Sequence, residues 1–324
     1  MELQKILLAF LIALVLVLLI GPLFIPLLKR MKIGQTERQE GPQTHLEKTG
    51  TPTMGGVMFI IALLVATLIF APDNTMVICA LLVTVAFALV GFLDDFIKIR
   101  FKRSLGLKAY QKIILQFGFA LGASLWLYFS KDVGSSLLIP IWNVEWDLGV
   151  FYIPFAIFII VGTVNSVNLI DGVDGLSSSV TLIFMAAYAA LFFVLKDKNS
   201  ADMAVFCAAI AGGLLGFLRF NSFRAQVFMG DTGSLALGGA VAMVALISRS
   251  AILLPIMGIC YVASSVSVIL QVGSYKLRNK KRIFLMAPLH HHFEKKGYSE
   301  TKIVFGYSLV TIICCVGCIL LWSI

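Results

Sequence analysis

The chain has 324 residues, 59% of them hydrophobic and only 13% charged, with a mean hydropathy of +0.96. Soluble domains carry about 25% charged residues, so this composition excludes a water-soluble core and requires an integral membrane protein. The net charge of +9 would also suit nucleic acid, but it sits in short loops between apolar runs, without zinc-finger spacing or a basic heptad region, and no nucleic-acid partner is expected.

A bilayer-spanning helix needs about 20 mostly apolar residues. Ten segments qualify in chain order: 6–28, 54–72, 76–93, 112–129, 150–166, 176–195, 202–218, 234–248, 251–272 and 302–323. The first is longer than a signal-peptide core and runs into Lys29, Arg30 and Lys32 rather than a cleavage site, so it reads as a retained helix. The eighth is the weakest, being short and glycine-containing. Residues 130–149 mix β-favouring residues, Gly, Pro and two Trp, which suits a small external hairpin at the outer interface. Cys79, Cys207, Cys260, Cys314, Cys315 and Cys318 all fall inside apolar runs and read as small buried hydrophobes. Nothing divides the chain, so residues 1–324 form a single membrane domain.

Basic residues set the orientation. The loops after odd-numbered spans hold 21 of the 26 Lys and Arg, against 5 on the other side. That places the first set in the cytoplasm and both termini outside. The expectation is an all-α polytopic protein of ten transmembrane helices whose site faces the cytoplasm.

The polar residues gather in those same loops. Asp94 and Asp95 end the third span, where helix carbonyls disfavour acids; keeping both calls for a compensating cation, either Mg²⁺ or nearby lysines. Asp171 and Asp174 precede the sixth span and Asp231 the eighth. An acid at a helix start is an ordinary N-cap, and Asp231 fits that pattern. Capping does not account for Asn168-Leu-Ile-Asp-Gly-Val-Asp-Gly-Leu176, whose glycines let backbone approach a ligand and whose following helix start offers N–H groups to phosphate. Carboxylate oxygens without thiolates favour Mg²⁺. Most loop lysines suit anionic lipid; Lys48, Lys98 and Lys102 are better placed to meet phosphate. His290, His291 and His292 form an internal triplet.

Together, Thr51-Pro-Thr-Met-Gly-Gly56, Gly91-Phe-Leu-Asp-Asp95, the 168–176 string, Phe228-Met-Gly-Asp-Thr-Gly-Ser234 and Met286-Ala-Pro-Leu-His-His-His-Phe-Glu294 resemble the MraY family, the phospho-N-acetylmuramoyl-pentapeptide transferases of peptidoglycan synthesis. The resemblance covers nearly the whole chain. The acidic strings are shared by the wider polyprenyl-phosphate sugar-1-phosphate transferase superfamily, whereas the histidine string marks the narrower family. The resemblance implies transfer from UDP-N-acetylmuramoyl-pentapeptide to undecaprenyl phosphate, giving lipid I and UMP, by a Mg²⁺-dependent homodimer in the bacterial inner membrane. It also implies roles: Asp94 as general base, Asp231 as metal ligand, and Asp95 and Asp171 supporting metal or substrate. Asn168 and Asp174 fall in the substrate-facing string. Asn221, Phe228 and Gln271 would form a uridine pocket, and the histidines would hold the donor. The rivals are a relative that transfers N-acetylhexosamine phosphate, a secondary transporter, and a lipid-binding scaffold. Transporter sites lie near the bilayer midplane, whereas these acids lie at one face.

Overall fold

A computed structural model describes residues 1–31, 50–101, 106–139, 144–195 and 199–322. It is a helical bundle: α1 (Glu2–Arg30), α2 (Gly56–Phe70), α3 (Thr75–Arg100), α4 (Ala109–Phe129), α5 (Tyr152–Ile170), α6 (Leu176–Leu195), α7 (Ser200–Asn221), α8 (Gly230–Ile247), α9 (Leu254–Met257), α10 (Ile259–Leu277), α11 (Leu289–Lys295) and α12 (Glu300–Trp322). Among the described residues, eight helices are long and apolar enough to cross a membrane. Residues 251–277 add a ninth candidate, bent by 79° between Met257 and Ile259. The expected span over 251–272 is therefore a bent pair of helices. Pro255 sits at the start of the four-residue α9 and Gly258 at its end, and both residues weaken helix continuity.

The expected span at 54–72 is also shorter than its apolar run. Helix α2 has 15 residues, about 22 Å at 1.5 Å per residue, less than the ~30 Å hydrocarbon layer. Its start is set by tertiary pairing. Phe228 N donates to Pro52 O at 2.8 Å, Gly55 N to Phe228 O at 2.9 Å, and Gly56 N to Met229 O at 3.0 Å. Those bonds hold residues 52–55 out of the helix, with Met54 at φ +70°. At the opposite end of the bundle Asn74 caps α3, accepting from Met76 N at 3.0 Å and Val77 N at 3.2 Å, and donates to Asp202 on α7 at 2.9 Å.

Helix α8, the weakest span by sequence, is the most enclosed. Thr232 through Ile247 are all buried, so it has no lipid face and needs no amphipathic stripe. Helices α3 and α5 pack along it. A Cβ on Gly91 would overlap the Asp231 backbone carbonyl, and one on Gly238 would lie 2.5 Å from Val164 Cα. In contrast α1, α4 and α12 keep most of their length exposed. The expected hairpin is present as β1 (Ser136–Ile139) antiparallel to β2 (Val144–Asp147), with Leu137 opposite Trp146. It docks beside the end of α8, where Leu138 N donates to Arg249 O at 2.9 Å and Arg249 pairs with Glu145 at 2.9 Å. All six cysteines are free thiols inside helices.

Candidate active site

Four helices bring their polar residues to one end of the bundle. Helix α3 runs on to Arg100, seven residues past the sequence boundary, so Asp94 and Asp95 lie on helix rather than in a loop. Consecutive helical side chains point about 100° apart, and the pair separates accordingly. Asp94 Oδ2 meets Lys98 Nζ, one turn on, at 2.6 Å, and its Oδ1 accepts from Leu107 N at 2.9 Å. A Cβ on Gly106 would sit 2.6 Å from the Asp94 carboxyl carbon, so only glycine lets this stretch of chain close over it. Asp95 faces the other way, onto the start of α8. Both carboxyls are buried, 3% and 2% exposed.

Asp231 is not the N-cap of α8. Met229 occupies that position without a side-chain cap, and Asp231 lies in the first turn. Its Oδ2 takes Lys98 Nζ and Lys112 Nζ, each at 2.9 Å, and its Oδ1 accepts from Asn168 Nδ2 at 2.8 Å. Asn168, in the last turn of α5, also donates to Ser234 Oγ at 2.8 Å. It is thereby a clamp between α5 and α8. Asp94, Asp95 and Asp231 each present an oxygen within 4.8 Å of one another. Three carboxylates facing two ammoniums leave an excess negative charge. Hard oxygen donors without a thiolate in the group fit a divalent cation of the Mg²⁺ type.

Lys112 was counted above only as a topology charge. Its position one turn into α4, inside the apolar boundary of the span, was the signal for a site residue. Lys48 and Lys102 lie outside the described residues. Asp171, at the C-terminal cap of α5, is half-buried. Removal from water, with the carboxylates of Asp231, Asp95 and Asp174 nearby, raises its pKa well above the usual carboxylate range. It stands outside the group of three carboxylates that meet within 4.8 Å. Asp174 is a loop fastener: 5% exposed, its Oδ2 accepts from Ala225 N at 2.9 Å.

The histidines divide. His290 is fully buried and His291 lies beside it, ring centroids 4.2 Å apart. Both pack on Gly172, where a Cβ would come 2.5 Å from His290 Nε2. His291 Nδ1 pairs with Glu294. His292 turns away: its Nδ1 accepts from Leu285 N at 3.1 Å, and its ring meets Phe284. The residues of the expected uridine group are held by contacts within the protein. Asn221 accepts from Ser178 Oγ at 2.9 Å and donates to Val227 O at 3.0 Å, using both ends of its amide. Gln271 accepts from Ile283 N and Phe284 N and donates to Phe284 O, at 2.9–3.0 Å. Phe228 is half-buried, and its backbone pairs with Pro52 and Gly55.

Known proteins match this chain along its length. Residues 77–249 fit the family model described as Glycosyl transferase family 4, and residues 48–60 fit Phospho-N-acetylmuramoyl-pentapeptide-transferase signature 1. The chain is similar to the phospho-N-acetylmuramoyl-pentapeptide-transferase of Caldanaerobacter subterraneus subsp. tengcongensis, 51% identical over 96% of each chain. It is similarly related to the protein of that name from Thermoanaerobacter sp. strain X514, also 51% identical over 96% of each. The one from Clostridioides difficile strain 630 is 48% identical over 94% of this chain and 93% of its own length.

Proposed function

The chain belongs to the phospho-N-acetylmuramoyl-pentapeptide-transferase family, and from that premise we propose how its residues carry out the transfer. Phospho-N-acetylmuramoyl-pentapeptide moves from its UDP carrier to undecaprenyl phosphate, releasing UMP and leaving lipid I. The observation that carries this reading is the convergence of Asp94, Asp95, Asp231, Lys98 and Lys112 at one end of the bundle.

A lipid phosphate attacking a diphosphate is opposed by charge repulsion, so the protein must mainly position the groups and neutralise charge. Mg²⁺ held at Asp231 would polarise the diphosphate and screen its charge. Lys98 and Lys112, both on Asp231 Oδ2, are positioned to pair with phosphate oxygens instead when substrate arrives. Asp94 is the base for the lipid phosphate, whose second pKa is near 6 and which is therefore partly protonated at neutral pH. Asn168 keeps the Asp231 carboxylate aimed. Asp171, whose carboxyl is held protonated by burial and by the neighbouring carboxylates, offers the substrate a neutral polar group on the side of the site facing the histidines. His290 and His291, against Gly172, contact the sugar–peptide part of the donor. Gln271 and His292 shape the 283–285 backbone beside it, and Asn221 and Phe228 shape the 227–229 backbone.

The site faces the cytoplasm in a bacterial inner-membrane protein with ten spans, both termini outside, acting as a homodimer. The 21-to-5 distribution of basic residues supports the orientation. In this arrangement the short α2 and the bent 251–277 pair each count as one span.

The deciding experiment incubates purified protein with UDP-N-acetylmuramoyl-pentapeptide and undecaprenyl phosphate, with and without Mg²⁺, and measures UMP. Release that needs both substrates and the metal supports the reading. Preference for a UDP-N-acetylhexosamine donor would move the protein to the sister class.

A further inference from the structure

The two adjacent aspartates of α3 share Lys98, at 2.6 Å from Asp94 and 3.8 Å from Asp95, but otherwise meet different partners. Asp95 Oδ2 accepts from Thr232 N at 2.9 Å and from Thr232 Oγ1 at 2.8 Å, while its Oδ1 accepts from Asp231 N at 3.2 Å. These are first-turn amides of α8, which have no acceptor within their own helix. The N-cap residue Met229 supplies no side-chain oxygen. Asp95 does the work an N-cap Ser or Asp would do, from a neighbouring helix. Close approach makes this possible: Gly91, one turn earlier on α3, lies against the Asp231 carbonyl, and a Cβ on Gly230 would sit 2.6 Å from Asp95 Oδ2.

We infer that Asp95 is a positioning residue that caps α8 in trans and so aims Asp231, rather than a ligand of the metal. Three of the roughly four lone-pair directions of its carboxylate are occupied by α8 donors. Its negative charge also lies at the positive end of the α8 dipole. That contact compensates an acid placed near the C-terminal end of its own helix.

The inference deepens the transferase reading and depends on it only for turnover. Amide hydrogen exchange on the metal-free protein reads the cap without any substrate. Asp95→Asn keeps one acceptor oxygen, enough for the Thr232 amide, and should hold exchange at Thr232 within about threefold while Asp231, facing the new NH2 group, exchanges faster. Asp95→Ala should accelerate it about tenfold, the scale of a lost helix cap. Thr232→Val, which leaves every acid in place, should accelerate it about threefold and serves if Asp95→Ala does not fold. In turnover, Asp95→Asn should leave the half-saturating Mg²⁺ concentration within about twofold while Asp95→Ala lowers kcat. An Asp95→Asn protein that needs about tenfold more Mg²⁺ with unchanged exchange would make Asp95 a metal ligand and overturn the inference. So would unchanged exchange in both Asp95→Ala and Thr232→Val. Wild-type protein that released no UMP would defeat the transferase reading and leave the exchange result standing.

Discussion

The acid–lysine cluster and the histidine segment sit at the same end of the bundle but are held by different physics. The cluster joins side chains from α3, α4, α5 and α8; apart from the Lys98 contacts to Asp94 and Asp95 within α3, its ion pairs and charge-assisted hydrogen bonds link different helices. In the histidine segment, His290 and His291 pack on the distant Gly172, but the stretch leading into them is held locally. Gln271 and His292 fix residues 283–285 through backbone amides within about 20 residues of chain. A network of opposite charges is strong when complete and costly when one partner is removed. A segment held by neutral hydrogen bonds loses about 1 kcal/mol per bond. The cluster is therefore suited to chemistry that moves charge, and the histidine segment to holding a shape.

Damage should follow that contrast. The largest effect is expected for Asp231→Asn, which keeps shape and removes the charge shared by two lysines: kcat down by roughly a thousandfold or more, with helicity by circular dichroism unchanged. Near-normal turnover would return Asp231 to a structural role. Next, Lys112→Gln should cost on the order of a hundredfold. It should also weaken the salt-insensitive part of donor binding, read by inhibition with UDP. If Lys112→Gln matches wild type, the lysine is a topology charge after all.

Asp94→Asn sharpens the comparison within the cluster. Below the phosphate's second pKa, near 6, more of the lipid substrate carries a proton that must be removed. Loss of the base should therefore grow on acidification. Asp94→Asn should fall more steeply than Asp95→Asn between pH 8 and pH 5.5. Superimposable profiles would make the pair joint charge partners. On the histidine side Gln271→Ala should raise the donor KM about tenfold with kcat nearly kept, because it loosens a surface rather than removing a reacting group. Equal losses in kcat and kcat/KM would put Gln271 with the chemistry.

The smallest effect lies between the two regions. Asp171 has its carboxyl pKa raised by burial and by neighbouring carboxylates. The folded state therefore binds a proton that the unfolded state has released above its pKa of about 3.9. Stability is lost as pH rises from there through the folded pKa. In metal-free protein Asp171→Asn should thus be the more stable form, with a Tm advantage that widens from pH 5 to pH 8. A constant difference would show that the folded pKa is not raised into that range.

Much of this was legible in the residues. Apolar runs marked the helices because lipid leaves backbone groups no partner outside the helix. The motif strings singled out Asp94, Asp231, His290 and His291 as site residues. Asn221 and Gln271 were expected to face a nucleotide; the structure adds that their amides also hold Ser178, Val227 and residues 283–284, contacts no periodicity announces. The N-cap alternative for Asp231 is not the one adopted, for a related reason: the donors of α8 found their acceptor on α3, more than 130 positions away in sequence.

Sequence alone determined the membrane class, the family and the list of acids, because hydropathy and residue type are properties of each position. Tertiary structure decided which acid meets which partner. It shortened α2 through the pairing of 52–56 with 228–229 and broke the 251–277 span. It turned two adjacent aspartates to opposite tasks and drew Lys112 onto Asp231. These depend on helices approaching closely at Gly91 and Gly238, and hydrogen bonds and ion pairs form according to distance in space, whatever their separation along the chain.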